Sequence, residues 1–165
     1  MNSIFPLQLQ HAAQELLDAC RRKKLHLVTA ESCTGGLIAA LLTDRPGSSA
    51  VFAHGFVTYA NAAKREMIGV RKKTLEKFGA VSPEVAIEMA EGARREADAD
   101  LAVSVTGIAG PDGGSRKKPV GTVHIAVARK KRKTLHEGHH FTGDRTAVRL
   151  ASVEAALRLV MKRIA

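Results

Sequence analysis

The chain has 165 residues, enough for one domain with a buried core, and its 45% hydrophobic content sets it among globular rather than disordered sequences. No apolar run reaches the ~18 residues of a membrane span. The first residues lack the basic start and apolar stretch of a signal peptide, and Cys20 and Cys33, with no Cys/His spacing around them, suggest neither a disulfide framework nor a zinc site. The expectation is a single domain over 1–165, cytoplasmic and without a membrane partner. Net charge is +10, and the basic residues cluster at Arg21–Lys24, Arg71–Lys73, Arg116–Lys118 and Arg129–Lys133. Such clusters attract anions, nucleic acid included. With one tyrosine and no tryptophan, however, a base-stacking platform is hard to build. The clusters therefore read as solvated faces that help draw in a phosphorylated substrate, and a nucleic-acid partner is not expected.

Leu7–Lys24 has the apolar spacing of an amphipathic helix. Leu25, Leu27 and Val28 begin a buried strand, Gly35-Gly36 breaks the pattern, and Leu37, Ile38, Leu41 and Leu42 resume it at helical spacing up to Arg45-Pro46-Gly47. Ala50–Tyr59 reads as a second strand with a possible bulge at Gly55, and Asn61 as the cap of a helix through Met67. Lys72–Phe78 is a short helix ended by Gly79. Ser82-Pro83 is a cap followed by a first-turn proline, opening a helix to about Ala97. Leu101–Val105 is a third strand, Thr106–Pro119 a Gly/Pro-rich loop, and Val120–Ala128 and Thr134–Phe141 two more strands joined through Lys130–Lys133. Asp144 caps a last helix, Arg145–Ile164. Its broad apolar arc suggests deep packing or a subunit contact, and a homo-oligomer is expected. Helices between the first three strands imply parallel pairing, and their absence between the last three implies antiparallel neighbours, so a mixed sheet has helices on both faces.

In such sheets ligands bind beyond the carboxyl ends of the parallel strands. Strand one ends at Glu31-Ser32, strand two at Thr58–Asn61 with Lys64 in the next turn, and strand three at Thr106-Gly107. One edge would then gather the hydroxyls of Ser32, Thr34 and Thr106, the Tyr59 phenol, the Lys64 amine and the Glu31 carboxylate. Glu31, Ser32, Cys33, Thr34, Gly35 and Gly36 form a strand-to-helix turn whose unpaired N–H groups could hold an anion. The same turn also reads as an ordinary capped turn, and Lys64 alone as a surface lysine. Serine beside lysine offers a nucleophile and a base, provided the amine is neutral. Ser48 is a rival nucleophile, but it precedes strand two and belongs at the opposite edge. The histidines show no triad logic, and no metal or cofactor is expected.

TAESCTGG (29–36), GSSAVFAHGFVTYANAAKREMIGV (47–70), GAVSPEVA (79–86), VSVTGIAGPDGG (103–114), KPVGTVHIA (118–126) and FTGDR (141–145) resemble the C-terminal domain of the CinA family over roughly residues 8–163. The resemblance implies a three-layer α/β/α fold with a mixed, mostly parallel five-stranded sheet, one strand antiparallel. It implies metal-free hydrolysis of nicotinamide mononucleotide, a small-molecule nucleotide substrate, to nicotinate mononucleotide and ammonia by a Ser/Lys pair. On this sequence the motifs give Ser32, Lys64 and Tyr59 as catalytic. The candidate substrate-binding set is Glu31, Cys33, Thr34, Gly35, Gly36, Asn61, Thr106, Gly107, Gly110 and Arg145. The alternatives are a non-catalytic nucleotide-binding module and a basic nucleic-acid-binding protein.

Overall fold

The computed structural model describes residues 3–165, and its order of elements follows the hydrophobic pattern closely. Six helices are α1 (Leu7–Arg22), α2 (Leu37–Thr43), α3 (Asn61–Ile68), α4 (Lys72–Phe78), α5 (Pro83–Glu96) and α6 (Arg145–Ile164). Five strands are β1 (Leu27–Glu31), β2 (Phe52–Val57), β3 (Leu101–Gly107), β4 (Thr122–Arg129) and β5 (Arg132–His140). They form one sheet in the order β2-β1-β3-β4-β5. β1 pairs in parallel with β2 and β3, and β4 runs antiparallel to both β3 and β5, so β4 is the single reversed strand.

Alternation along the strands divides the core into two layers. Leu27, Leu101, Val103, Val105, Val123, Ile125 and Val127 face α1, α2 and α6. Val28, Ala30 and Ala102 face α3, α4 and α5, and Ala126 and Ala128 pack with Ala86 and Ala90 of α5. The second interface is built from small side chains, so α5 sits close. Closest is Gly92, where an added Cβ would lie 1.8 Å from the Ile68 carbonyl oxygen at the end of α3. Gly92→Ala should therefore push α3 and α5 apart and destabilise by about 1–3 kcal/mol, read as a lower urea midpoint with an unchanged slope.

Caps fix where α5 and α6 start. The Ser82 hydroxyl accepts from Val85 N at 3.3 Å, and the Asp144 carboxylate from Ala147 N at 2.8 Å, as the sequence indicates. Elsewhere the local reading needs correction. Asn61 is not a cap: Ala60 takes that position, Asn61 is the first helical residue, and no side chain caps α3. The irregularity in β2 is not at Gly55 but at Ala53, skipped between the pairs Leu27 with Phe52 and Val28 with His54. β2 is also shorter than expected at both ends, with Ser48–Ala50 in a single 3-10 turn before it and its last residue at Val57. The β4–β5 connection is Lys130-Lys131 alone, with Arg132 and Lys133 already in β5. The apolar arc of α6 is buried within the chain, with Val148, Val153, Leu157 and Val160 closed off from solvent in the first core layer. Deep packing therefore accounts for the arc, and the expected homo-oligomer loses that support.

Candidate active site

Parallel pairing brings the ends of β1, β2 and β3 to one edge, and the chemistry collects there. β1 delivers Ser32 directly after its last residue. Lys64, one turn into α3, is among the largest fully buried side chains at 1% exposure. Its Nζ lies 3.0 Å from Ser32 Oγ, 2.8 Å from the Thr58 carbonyl oxygen and 3.2 Å from that of Tyr59. Carbonyls can only accept, so two N–H bonds of the amine are directed to them. A neutral amine then keeps its lone pair for the Ser32 hydroxyl. Burial favours that neutral form, pulling the Lys64 pKa from an ordinary 10.5 to about 8. Cys33, next to the serine, goes the other way: burial pushes its thiol up to about 11, so it stays protonated and a poor nucleophile at neutral pH.

Ser32 and Lys64 open into a cavity of about 270 Å3. Cys33, Tyr59, Ala80-Val81, Thr106–Gly110, Asp112, Gly113 and Arg145 also line it. The Tyr59 phenol is exposed and accepts from Arg145 Nη2 at 3.3 Å; it bonds neither Ser32 nor Lys64. Arg145 Nη1 also donates to Gly110 O at 2.7 Å, tying the start of α6 to the glycine-rich loop. No histidine lines the cavity; His124 and His136 stack on one another with ring nitrogens 3.0 Å apart on β4 and β5. Ser48 sits in the turn before β2, at the opposite end of the sheet.

The cavity thus gathers Ser32, Cys33, Tyr59, Lys64, Thr106, Gly107, Gly110 and Arg145 from the residues the sequence singles out. Glu31, Thr34, Gly35, Gly36 and Asn61 do not line it. Glu31 has a different position altogether. Its carboxylate is wholly buried and accepts from Gly36 N and Ile38 N at 3.2 and 3.1 Å, and from Ala39 N at 2.9 Å. The protein's own anion occupies the positive end of α2, and the expected anion site there is filled. Glu31→Gln should loosen the turn that carries Ser32 and lower stability by about 1–3 kcal/mol, seen in urea unfolding. Cys33 N and Thr34 N donate to no backbone carbonyl among the described residues, while Arg149 holds the Cys33 and Thr34 carbonyls at 3.2 and 3.1 Å.

Ala80, Val81, Ile108, Ala109, Asp112 and Gly113 are lining residues that lie within the quoted motifs but outside the candidate site set. A signal for the first two exists: α5 runs back along β3, so the segment before its Ser82 cap lies at the same edge. The Thr106 hydroxyl fixes that segment by donating to Ala80 O at 2.8 Å.

The model of the CinA C-terminal domain family matches residues 9–164. The chain belongs to the CinA C-terminal domain family. Within that family it is 52% identical over 159 residues to a protein of Enterobacter agglomerans named nicotinamide-nucleotide amidohydrolase PncC, covering 94% of this chain and 97% of the relative. A protein of the same name from Escherichia coli K12 is 48% identical, covering 94% of each. Among solved structures, the competence/damage inducible protein CihA of Agrobacterium tumefaciens superposes with a TM-score of 0.96 at 48% identity, covering 98% of both chains. The CinA-domain fold is therefore shared across nearly the whole length.

Proposed function

We propose that the protein hydrolyses the carboxamide of nicotinamide mononucleotide, giving nicotinate mononucleotide and ammonia, and so acts in pyridine-nucleotide salvage. The names of the full-length relatives support the substrate class. The observation that carries the chemistry is the 3.0 Å approach of a buried lysine amine to Ser32 Oγ inside a cavity. Lys64 takes the serine proton as Oγ attacks the carboxamide carbon. The Cys33 amide, next to the nucleophile in the cavity lining and without a backbone carbonyl partner among the described residues, is a donor able to steady the resulting oxyanion. The ammonium of Lys64 then returns its proton to the departing nitrogen, and ammonia leaves. Water, deprotonated by the same amine, attacks the acyl-serine; the ester bond to Oγ breaks, Lys64 returns the proton to Ser32, and the acid is freed. Tyr59 holds the amine through its carbonyl and, with Arg145, forms the rim where the nucleotide enters.

Ammonia release from the mononucleotide tests this reading. Tight nucleotide binding with no ammonia would instead make the protein a binding module. With α2 closed by Glu31, the 5′-phosphate is left to Arg145 and the loop Ala109–Gly113. Removing the phosphate should therefore weaken substrate use strongly. The riboside is expected to show a kcat/KM at least about 100-fold lower, in line with loss of a charged hydrogen-bonded group. Equal kcat/KM for both would remove the phosphate site.

A further inference from the structure

The topology gathers basic clusters that are far apart in sequence. α1 and α5 finish at the end of the sheet where β1 and β3 begin, and antiparallel β4 returns there to turn into β5. α6 finishes there too, since Lys23 donates to Ile164 O, Arg129 to Arg163 O and Arg163 to Lys133 O. Arg21–Lys24, Arg94-Arg95, Arg129–Lys133 and Lys162-Arg163 therefore share one pole, opposite Ser32 and Lys64. That pole carries half of the chain's 26 lysines and arginines.

Helix macrodipoles explain some of this, because cations are favoured at helix C-termini. They do not explain Arg129–Lys133, which turns a hairpin. Nor is the charge well neutralised: Arg94, Arg129 and Arg163 donate to uncharged carbonyls. Of the thirteen cations, four have a carboxylate partner among the described residues: Arg21 with Asp18 at 2.7 Å, Lys162 with Glu137 at 3.2 Å, Lys130 with Asp98 at 3.6 Å and Arg95 with Glu96 at 3.8 Å. Between α5 and the hairpin lies a cleft of about 390 Å3 lined by Arg94, Arg95, Arg129, Lys131 and Arg132. Its single carboxylate, Glu91, accepts from the Thr134 hydroxyl. Burial, with Arg132 and Arg129 alongside, holds the Arg163 guanidinium below its ordinary range.

We propose that this pole is a docking surface for the phosphodiester backbone of nucleic acid, bound without regard to sequence. Arginine forks match phosphate oxygens, and the surface extends well beyond the cleft over four segments, wider than one small phosphate compound needs. None of the exposed large apolar side chains among the described residues lies in these segments, so nothing there would insert into lipid. With no aromatic residue in them, contact stays on the backbone rather than the bases.

The test is fluorescence anisotropy of a labelled mixed-sequence DNA duplex with the full chain at roughly 50 and 200 mM salt. Wild type should bind, with affinity falling steeply as salt rises. Arg95→Glu/Lys131→Glu/Arg132→Glu alters three exposed side chains and should weaken binding at least about tenfold, with a log–log salt slope smaller by about 3. Lys73→Glu/Arg116→Glu/Lys117→Glu makes the same change in net charge elsewhere and should lose less than about threefold. If the first triple variant does not fold, Lys131→Gln/Arg132→Gln should still weaken binding and flatten the slope. No binding by wild type at the lower salt, or equal losses in the two triple variants, would overturn the proposal. So would stoichiometric displacement of the duplex by inorganic triphosphate, or equally tight binding to anionic phospholipid vesicles.

Discussion

Ser32→Ala and Lys64→Ala should each lower kcat for ammonia release by about 1,000-fold or more, with the fold retained. The two side chains meet at 3.0 Å and act as one unit, so the double variant should fall within about threefold of either single one. Lys64→Arg should fail as well. Its guanidinium stays protonated and cannot accept the serine proton, and it cannot fit the small cradle made by the Thr58 and Tyr59 carbonyls. Ser48→Ala, in the turn before β2, should leave kcat near wild type. Near-normal kcat in Ser32→Ala together with its loss in Ser48→Ala would reverse the assignment of the nucleophile.

The second large effect is on pH. Only the neutral Lys64 amine can act as base, and its pKa lies at about 8. The rate should therefore rise about tenfold per pH unit well below that value and level off above it. Between pH 6 and the plateau the change is about 100-fold. Stability is linked to the same proton. From pH 8 to the unfolded value near 10.5, the unfolded chain holds more proton on this lysine than the folded one, so the lysine's contribution to stability rises with pH across that window. The expected gain is about 3 kcal/mol. Burial of the Cys20 and Cys33 thiols, both pushed up to about 11, acts in the opposite direction above pH 9. The comparison is therefore between wild type and Lys64→Met, whose urea-derived stabilities should differ by a pH-dependent amount of that size. A difference that stays constant from pH 8 to 10.5 would mean that Lys64 has an ordinary pKa.

The register of helix and strand was legible because periodicity and punctuation agree. Ser82-Pro83 and Asp144 start their helices, and Lys72–Phe78 is helical over the expected residues. The meeting of Ser32 and Lys64 was legible from parallel pairing alone, since it requires only that two adjacent strands end at the same edge. Details that depend on long-range packing were not. Nothing local distinguishes Ala53 from Gly55 as the irregular residue, because the offset arises where β1 and β2 pair. Glu31 looks like a site carboxylate until its burial beneath α2 shows where its oxygens are directed. The basic clusters look like unrelated solvated ends until antiparallel β4 returns Arg129–Lys133 to the pole where α1 and α5 finish.

Glu31's closure of α2 divides labour within the molecule. The start of α2 is satisfied from inside and offers no anchor to the substrate's phosphate. Beyond the reacting pair, a ligand meets Tyr59, Ala80-Val81, Arg145 and most of the loop from Ile108 to Gly113. Such a loop can lengthen, shorten or exchange side chains without disturbing the nucleophile or its base. A lineage could thus explore new amide substrates while its reaction machinery stayed fixed, and a directed-evolution library confined to those positions would sample specificity without sacrificing turnover.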